Sequence, residues 1–214
     1  MPKINRQAGQ NIRELALTRR IKSSGYFISA FFTFFLAFLV ILNFSFPPIF
    51  YLFFMAVALL LIFKGTSLWQ RANLADRGAE GEEDIARLLA QLEKDGWQIE
   101  YGIRLGNTLS DVDIFCVSPR GKFYAIDVKS HKGRVVADGG KLYRYMGKHK
   151  YHFEKDFLAQ VMRQALQVRK HKDLNFVTPI LAFSKASVAI QSGKLQNVYV
   201  VEKAKLISLL QSLG

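Results

Sequence analysis

The sequence predicts a mixed α/β domain set behind a two-helix transmembrane hairpin. Two uncharged runs, Tyr26–Phe44 and Ile49–Phe63, follow one another near the N-terminus. From residue 78 onward the apolar residues switch between helical and strand spacing, in the order α-β-β-β, a hairpin, then α-β-β-α. Lys and Arg number 30 against 17 Asp and Glu, a net charge of +13 that calls for a polyanionic partner, either nucleic acid or an anionic membrane surface. The single cysteine, Cys116, lies in an apolar run. It excludes an intrachain disulfide framework or a cysteine-based zinc site and reads as a buried, inert thiol.

Residues 1–25 form a basic N-terminus, in which Lys3, Arg6, Arg13, Arg19, Arg20 and Lys22 oppose Glu14. The first apolar run, 19 residues long, extends about 28 Å as a helix, close to the thickness of a bilayer core. The second, of 15 residues, extends about 22 Å, or about 27 Å if Phe46–Pro48 join it. Residues 26–63 therefore read as a transmembrane hairpin with a tight turn at Asn43–Pro48. A re-entrant hairpin is the alternative for the shorter run. A cleaved signal peptide fits poorly, because the basic region is long, no small-x-small site follows, and a second span comes at once. Basic residues flank both outer ends, with Lys64, Arg71 and Arg77 after the second span, and the turn has none. The positive-inside rule then puts both termini in the cytoplasm, at the cell membrane.

Residues 64–77 read as a linker with Trp69 as an interfacial anchor, and residues 78–214 as the α/β domain. Its first helix starts near Gly78–Gly81, carries the stripe Ile85, Leu88, Leu89 and Leu92, and ends at Gly96. Trp97–Leu105 reads as a strand and Gly106–Ser110 as a loop. Two apolar runs, Asp113–Ser118 and Phe123–Val128, flank Pro119-Arg120-Gly121-Lys122 and predict a hairpin. Gly133–Ala137 and Leu142–Met146 predict a strand pair around Asp138-Gly139-Gly140. Phe157–His171 is helical by its Leu158, Val161, Met162, Ala165, Val168 stripe, Val177–Phe183 and Asn197–Val201 are strands, and Glu202–Leu213 is a closing helix.

The chemistry concentrates in the first hairpin. Asp113, Asp127 and Lys129 stand on runs that otherwise read as core, where charge is costly unless paired or bound to a metal. Strand alternation points Asp127 and Lys129 the same way, and the hairpin can bring Asp113 beside them. Two neighbouring carboxylates repel unless a cation lies between them, and Mg²⁺ binds through one or two carboxylates while keeping its waters. Such an ion polarises a phosphate oxygen, and a lysine orients or deprotonates the water and stabilises developing charge. Glu82 lies three residues before Ile85 and seven before Leu89, so it shares the inward helical face. Its alternative is an acid complementing a helix N-terminus. Glu83 falls on the outward face.

The ordered set Gly78-x-x-Gly81-Glu82, Val112-Asp113, Ser118-Pro119-x-Gly121 and Ile126-Asp127-x-Lys129 resembles the NERD, or nuclease-related, domain, a likeness covering about residues 75–185. That domain is similar to the PD-(D/E)xK nucleases. The resemblance implies a restriction-endonuclease-like mixed sheet flanked by helices and DNA cleavage dependent on Mg²⁺ or Mn²⁺. It gives Glu82, Asp113, Asp127 and Lys129 the active-site positions, the three acids as metal ligands. Gln160 matches a glutamine the family places on the helix after the sheet, with Gln164 one turn on. Ile114 stands where the family often has histidine, and Asp127 where the superfamily commonly has Glu.

Residues 141–172 add nine lysines and arginines against Glu154 and Asp156, with Tyr143, Tyr145 and Tyr151 interleaved. Such a surface suits a nucleic-acid backbone, and anionic lipid is its alternative partner. His131, His149, His152 and His171 have no metal-ligand spacing and read as surface or phosphate-contact residues. The expected function is a membrane-anchored DNA nuclease. A non-catalytic nucleic-acid-binding or protein-interaction module on the same tether is the alternative.

Overall fold

The structure, a computed structural model, describes residues 7–43, 47–103 and 111–214. The turn expected at Asn43–Pro48 lies partly, and the loop at Gly106–Ser110 wholly, outside the described residues. The chain divides into two compact units, Asn11–Asp76, and the residues up to Gln10 together with Arg77–Gly214.

The first unit contains most of α1 (Gln10–Asn43) and the first part of α2 (Pro48–Glu93). Both helices are long and apolar enough to cross a membrane, with 18-residue stretches of mean hydropathy 2.3 and 2.2. Small residues bring them together. Ser23, Ala30, Ala58 and Ala72 are buried, the Ser23 hydroxyl donates to the Gly65 carbonyl at 2.7 Å, and a Cβ on Gly65 would stand 2.8 Å from the Phe27 ring. Large side chains such as Phe31, Phe32, Phe53 and Phe63 stay exposed, as lipid-facing groups would. Arg20 pairs with Asp76 at 2.5 Å and lies 5.6 Å from the Trp69 ring.

Two expectations change here. Helix α1 begins at Gln10, inside the basic segment, and residues 64–77 are helical, so α2 runs unbroken into the stretch where a new helix was expected. Nothing in residues 64–77 is a proline, and Arg, Gln, Leu and Ala there favour helix.

The second unit is an eight-stranded mixed sheet flanked by helices. Its strands are β1 (Gln98–Ile103), β2 (Val112–Val117), β3 (Phe123–Asp138), β4 (Lys141–Met146), β5 (His149–His152), β6 (Thr178–Ala189), β7 (Lys194–Leu195) and β8 (Val198–Glu202). The main order is β1-β2-β3-β6-β8-β7, with β4 on β3 and β5 on β4. The β3–β6 and β6–β8 pairs are parallel and the rest antiparallel. Helices α3 (Phe157–His171) and α4 (Lys203–Leu213) complete the unit.

Alternation along the strands splits the core in two. Tyr124, Ile126 and Val128 point with Ile114 and Cys116 toward Ile85, Leu89 and Leu92 of α2 and Leu206 and Leu210 of α4. Ala125 and Phe115 point the other way, with Ala165 and Val168 of α3, while Leu158 and Val161 cover Leu181 and Phe183. Helix α3 starts at an Asp156 cap, whose carboxylate accepts from the Ala159 N–H at 3.0 Å, and ends on Arg169, Lys170 and His171, which complement its dipole.

The two strands expected at 123–128 and 133–137 are one strand. A register shift between Lys129 and Lys132 bends β3 without ending it. Gly133 follows at φ +104°, where a Cβ would meet the Tyr145 carbonyl oxygen at 2.3 Å. Below the bend β3 has β2 as its neighbour on one side, with Ile114 opposite Ile126. Above it that neighbour is β4, from Tyr145 opposite Arg134. Strand β6 lines the other side throughout. The sheet therefore forks at residues 127–133.

Candidate active site

The fork is where the charged residues gather. One residue beyond the Ile114–Ile126 pair, Asp113 comes opposite Asp127. The backbone ladder stops there, and the Asp113 carboxylate takes its place by accepting from the Val128 N–H at 2.7 Å. By alternation Asp127 and Lys129 share the face covered by α3. Lys129 Nζ lies 2.6 Å from Asp127 Oδ2 and 5.0 Å from the Phe157 ring. Asp127 is 1 % exposed and Lys129 17 %, so the pair is buried with the ammonium reaching outward.

Helix α3 secures Asp127 from above. Gln160 and Gln164, one turn apart, both donate their amide nitrogens to Asp127 Oδ1, at 3.1 and 3.2 Å. The Gln164 amide also donates to the Asp111 carbonyl oxygen at 2.8 Å, tying the start of β2 to the same point. Asp111 takes part through its backbone, which its side-chain chemistry did not signal.

Glu82 arrives on α2 and is 93 % buried, as its position on the stripe predicts. Its approach depends on Gly81, where a Cβ would lie 2.8 Å from Ser184 Oγ and 3.0 Å from Ser130 Cβ. The Gly9 N–H donates to Glu82 Oε2 at 3.1 Å, across 73 residues of sequence. Gly9 has φ +74°, and a Cβ there would lie 2.9 Å from the Ala79 carbonyl oxygen. Nothing in the sequence pointed to Gly9. Glu83 is only half-buried.

The electrostatics follow from crowding acids behind apolar walls. Burial, then the Asp127 charge, push the Glu82 carboxyl up to about 7, against the Gly9 hydrogen bond. Burial, with Asp127 and Glu82 beside it, raises Asp113 well above the usual carboxylate range. Burial works against the Lys129 ammonium, but Asp127, Asp113 and Glu82 outweigh it and raise its pKa. Lys129 is thus a cation at neutral pH and a poor base.

Acids held at raised pKa by burial and mutual repulsion form a donor set suited to a hard divalent cation. Asp113 and Glu82 each commit one oxygen to a backbone N–H. Asp127 Oδ1 accepts from both glutamines and Oδ2 faces the Lys129 ammonium, so an ion would share Asp127 with those partners. Among the described residues, no group of three His, Cys, Asp or Glu side chains is arranged as a metal cage.

Around the site, His131 departs from the surface role expected of it. Its ring is half-buried, with centroids 5.2 Å from Phe153 and 5.5 Å from Phe157. The basic stretch is partly neutralised within the unit, by Lys150–Asp138 at 2.6 Å and Lys172–Glu100 at 2.8 Å. A cavity of about 680 Å³, with Phe123, Met162 and Phe176 in its wall, contains none of the residues that meet at the fork.

No characterised protein and no solved structure matches the chain. The model of the nuclease-related domain, NERD, matches residues 77–184. Those residues carry Glu82, both aspartates of the fork, Lys129 and the two α3 glutamines, and they make up just over half of the sequence. The chain belongs to the NERD, nuclease-related domain, family.

Proposed function

We propose that the protein is a membrane-anchored nuclease that hydrolyses DNA phosphodiesters at the cytoplasmic face. One observation carries the reading: Asp113 and Asp127 meet where the β2–β3 ladder ends, with the Lys129 ammonium on Asp127. Asp113, Asp127 and Glu82 would hold Mg²⁺ or Mn²⁺, which supplies Lewis-acid polarisation of a phosphoryl oxygen and lowers the pKa of a bound water. Lys129, as an ammonium, donates to the phosphoryl oxygen and stabilises its growing negative charge. Gln160 and Gln164 fix Asp127 in one orientation. Residues 26–63 act as the membrane anchor, and the basic flanks of both spans keep residues 1–25 and 78–214 in the cytoplasm.

The test uses the full chain in nanodiscs. Mg²⁺ or Mn²⁺ should support DNA cleavage that EDTA stops and that Asp113→Ala and Lys129→Ala each abolish. Cleavage that survives both substitutions, or none by the wild type, would sink the reading.

A second reading, a non-catalytic binding module, draws on the full occupancy of Asp127 by Lys129, Gln160 and Gln164. It predicts salt-sensitive DNA binding that Asp127→Ala leaves unchanged, with no cleavage under any metal.

A further inference from the structure

Two buried nitrogens beside the fork have no hydrogen-bond partner: His131 Nδ1 and Arg144 Nε. An arginine Nε–H is always a donor, so Arg144 holds a proton aimed at an acceptor that the described residues do not supply. Both groups belong to one neighbourhood. The His131 ring stands against Phe157, which also lies 5.0 Å from the Lys129 ammonium. Arg144 is opposite Val135 on β4, and Val135 packs with Phe157, Leu158 and Val161 under α3. Arg144 therefore shares the sheet face that carries Asp127 and Lys129. Its guanidinium carbon lies 5.8 Å from the centre of the Tyr151 ring, which sets the planar cation against an aromatic face.

The charge balance points to an anion. Burial, then Arg144 and Lys129, lower the His131 pKa, so the imidazole is neutral at pH 7 while two cations face it; only Glu154 acts the other way. Lys129 already has Asp127, so the uncompensated groups are the Arg144 cation with its unmet N–H and the neutral ring with an unpartnered nitrogen, and together they lack one oxyanion.

We infer that His131 and Arg144 form a subsite for a backbone phosphate of the nucleic-acid strand, adjacent to the phosphate at Lys129. The inference rests on the nuclease reading for its ligand class, and on the two orphan nitrogens for its location. It makes the bend in β3 the ruler of the site. Lys129, before the bend, addresses one phosphate, and His131 within it, with Arg144 on β4, addresses the next.

The test measures binding separately from cleavage. Full-length protein in phosphatidylcholine nanodiscs is titrated with a fluorescent oligonucleotide in EDTA, over a range of salt. Arg144→Gln should weaken binding about 10- to 100-fold and reduce the salt slope by about one phosphate contact. Arg144→Lys, which keeps the charge but loses the Nε–H, should recover only part of that loss. His131→Phe, which preserves the aromatic packing, should weaken binding by several fold. Replacing single phosphates by neutral methylphosphonates should reveal one position that costs the wild type as much as Arg144→Gln does and costs the Arg144→Gln protein nothing more. Wild-type affinity in Arg144→Gln, or equal sensitivity of both proteins at every position, would overturn the subsite. So would loss of binding to a short-chain phosphatidylglycerol with the oligonucleotide affinity intact, which would reassign the pocket to lipid headgroups. Cleavage by the wild type in Mg²⁺ with no binding defect in Arg144→Gln defeats the subsite alone. The predicted binding losses with no cleavage defeat the nuclease reading and leave the subsite standing.

Discussion

Strand β3 contributes the aspartate to two aspartate–lysine pairs of equal length. Asp127 meets Lys129 at 2.6 Å below the bend, and Asp138 meets Lys150 at 2.6 Å at the far end. Their side chains are 1 % and 17 % exposed in the first pair and 63 % and 36 % in the second. Distance does not distinguish them, but surroundings do. Water screens the outer pair, whereas the inner pair is locked by two glutamines and crowded by Asp113 and Glu82. An ion pair becomes an instrument only where removing one partner leaves the other with nowhere to place its charge.

Breaking the inner pair should have the largest effect. Asp127→Ala leaves Lys129 and two glutamine amides without their acceptor. It should lower stability by about 3–5 kcal/mol in urea titrations and abolish metal-supported cleavage. A change below about 1 kcal/mol would mean the inner pair is as weak as a surface pair.

Next comes Glu82, whose raised pKa gives a stability signature. Its folded pKa, about 7, exceeds the ordinary glutamate value near 4.5, so the folded state holds the proton more tightly than the unfolded state. The stability linked to this proton is complete below about 4.5, falls as pH rises toward about 7, and levels off above. In EDTA, the wild type should therefore lose on the order of 3 kcal/mol relative to Glu82→Gln across that window. A pH-independent difference between the two proteins would contradict the crowding of acids at the fork.

The bend that separates the two pairs can be tested through Gly133. Gly133→Ala puts a methyl group 2.3 Å from the Tyr145 carbonyl oxygen at a positive φ. It should lower stability by roughly 1–3 kcal/mol, with amide exchange rising first in β4 and β5. Asp138→Asn should have the smallest effect, with the denaturation midpoint and the cleavage rate unchanged. A measurable shift would show that the outer pair does more than decorate the surface.

Much of this was legible in the sequence because its cause is local. The α3 stripe marks Phe157–His171 to the residue, and strand parity aligns Asp127 with Lys129. Helical spacing turns Glu82 inward and Glu83 away, and the family likeness selects Gln160. What was hidden is non-local. Gly78 and Gly81 look like a helix start, yet α2 runs through both, and Gly81 is small because Ser130 and Ser184 press against it. The unity of β3 depends on β6 pairing on both sides of the bend, which no local pattern reveals. Every residue of the His149–His152 segment is exposed, so β5 shows no apolar alternation. His131 looks like a surface histidine until Phe153 and Phe157 fold over it.

The Gly9–Glu82 hydrogen bond bears on how the protein is made. Gly9 leaves the ribosome well before Glu82, 73 positions earlier, with the apolar stretches of both helices between them. The contact can close only after the intervening segment has been synthesised, so the domain matures late, as a discontinuous unit with an insertion rather than as a tail hung on an anchor. A soluble fragment starting at residue 77 would be born without its first partner. Its Glu82 would lack the one hydrogen bond that holds its pKa down, and its pH profile would be that of an incomplete site.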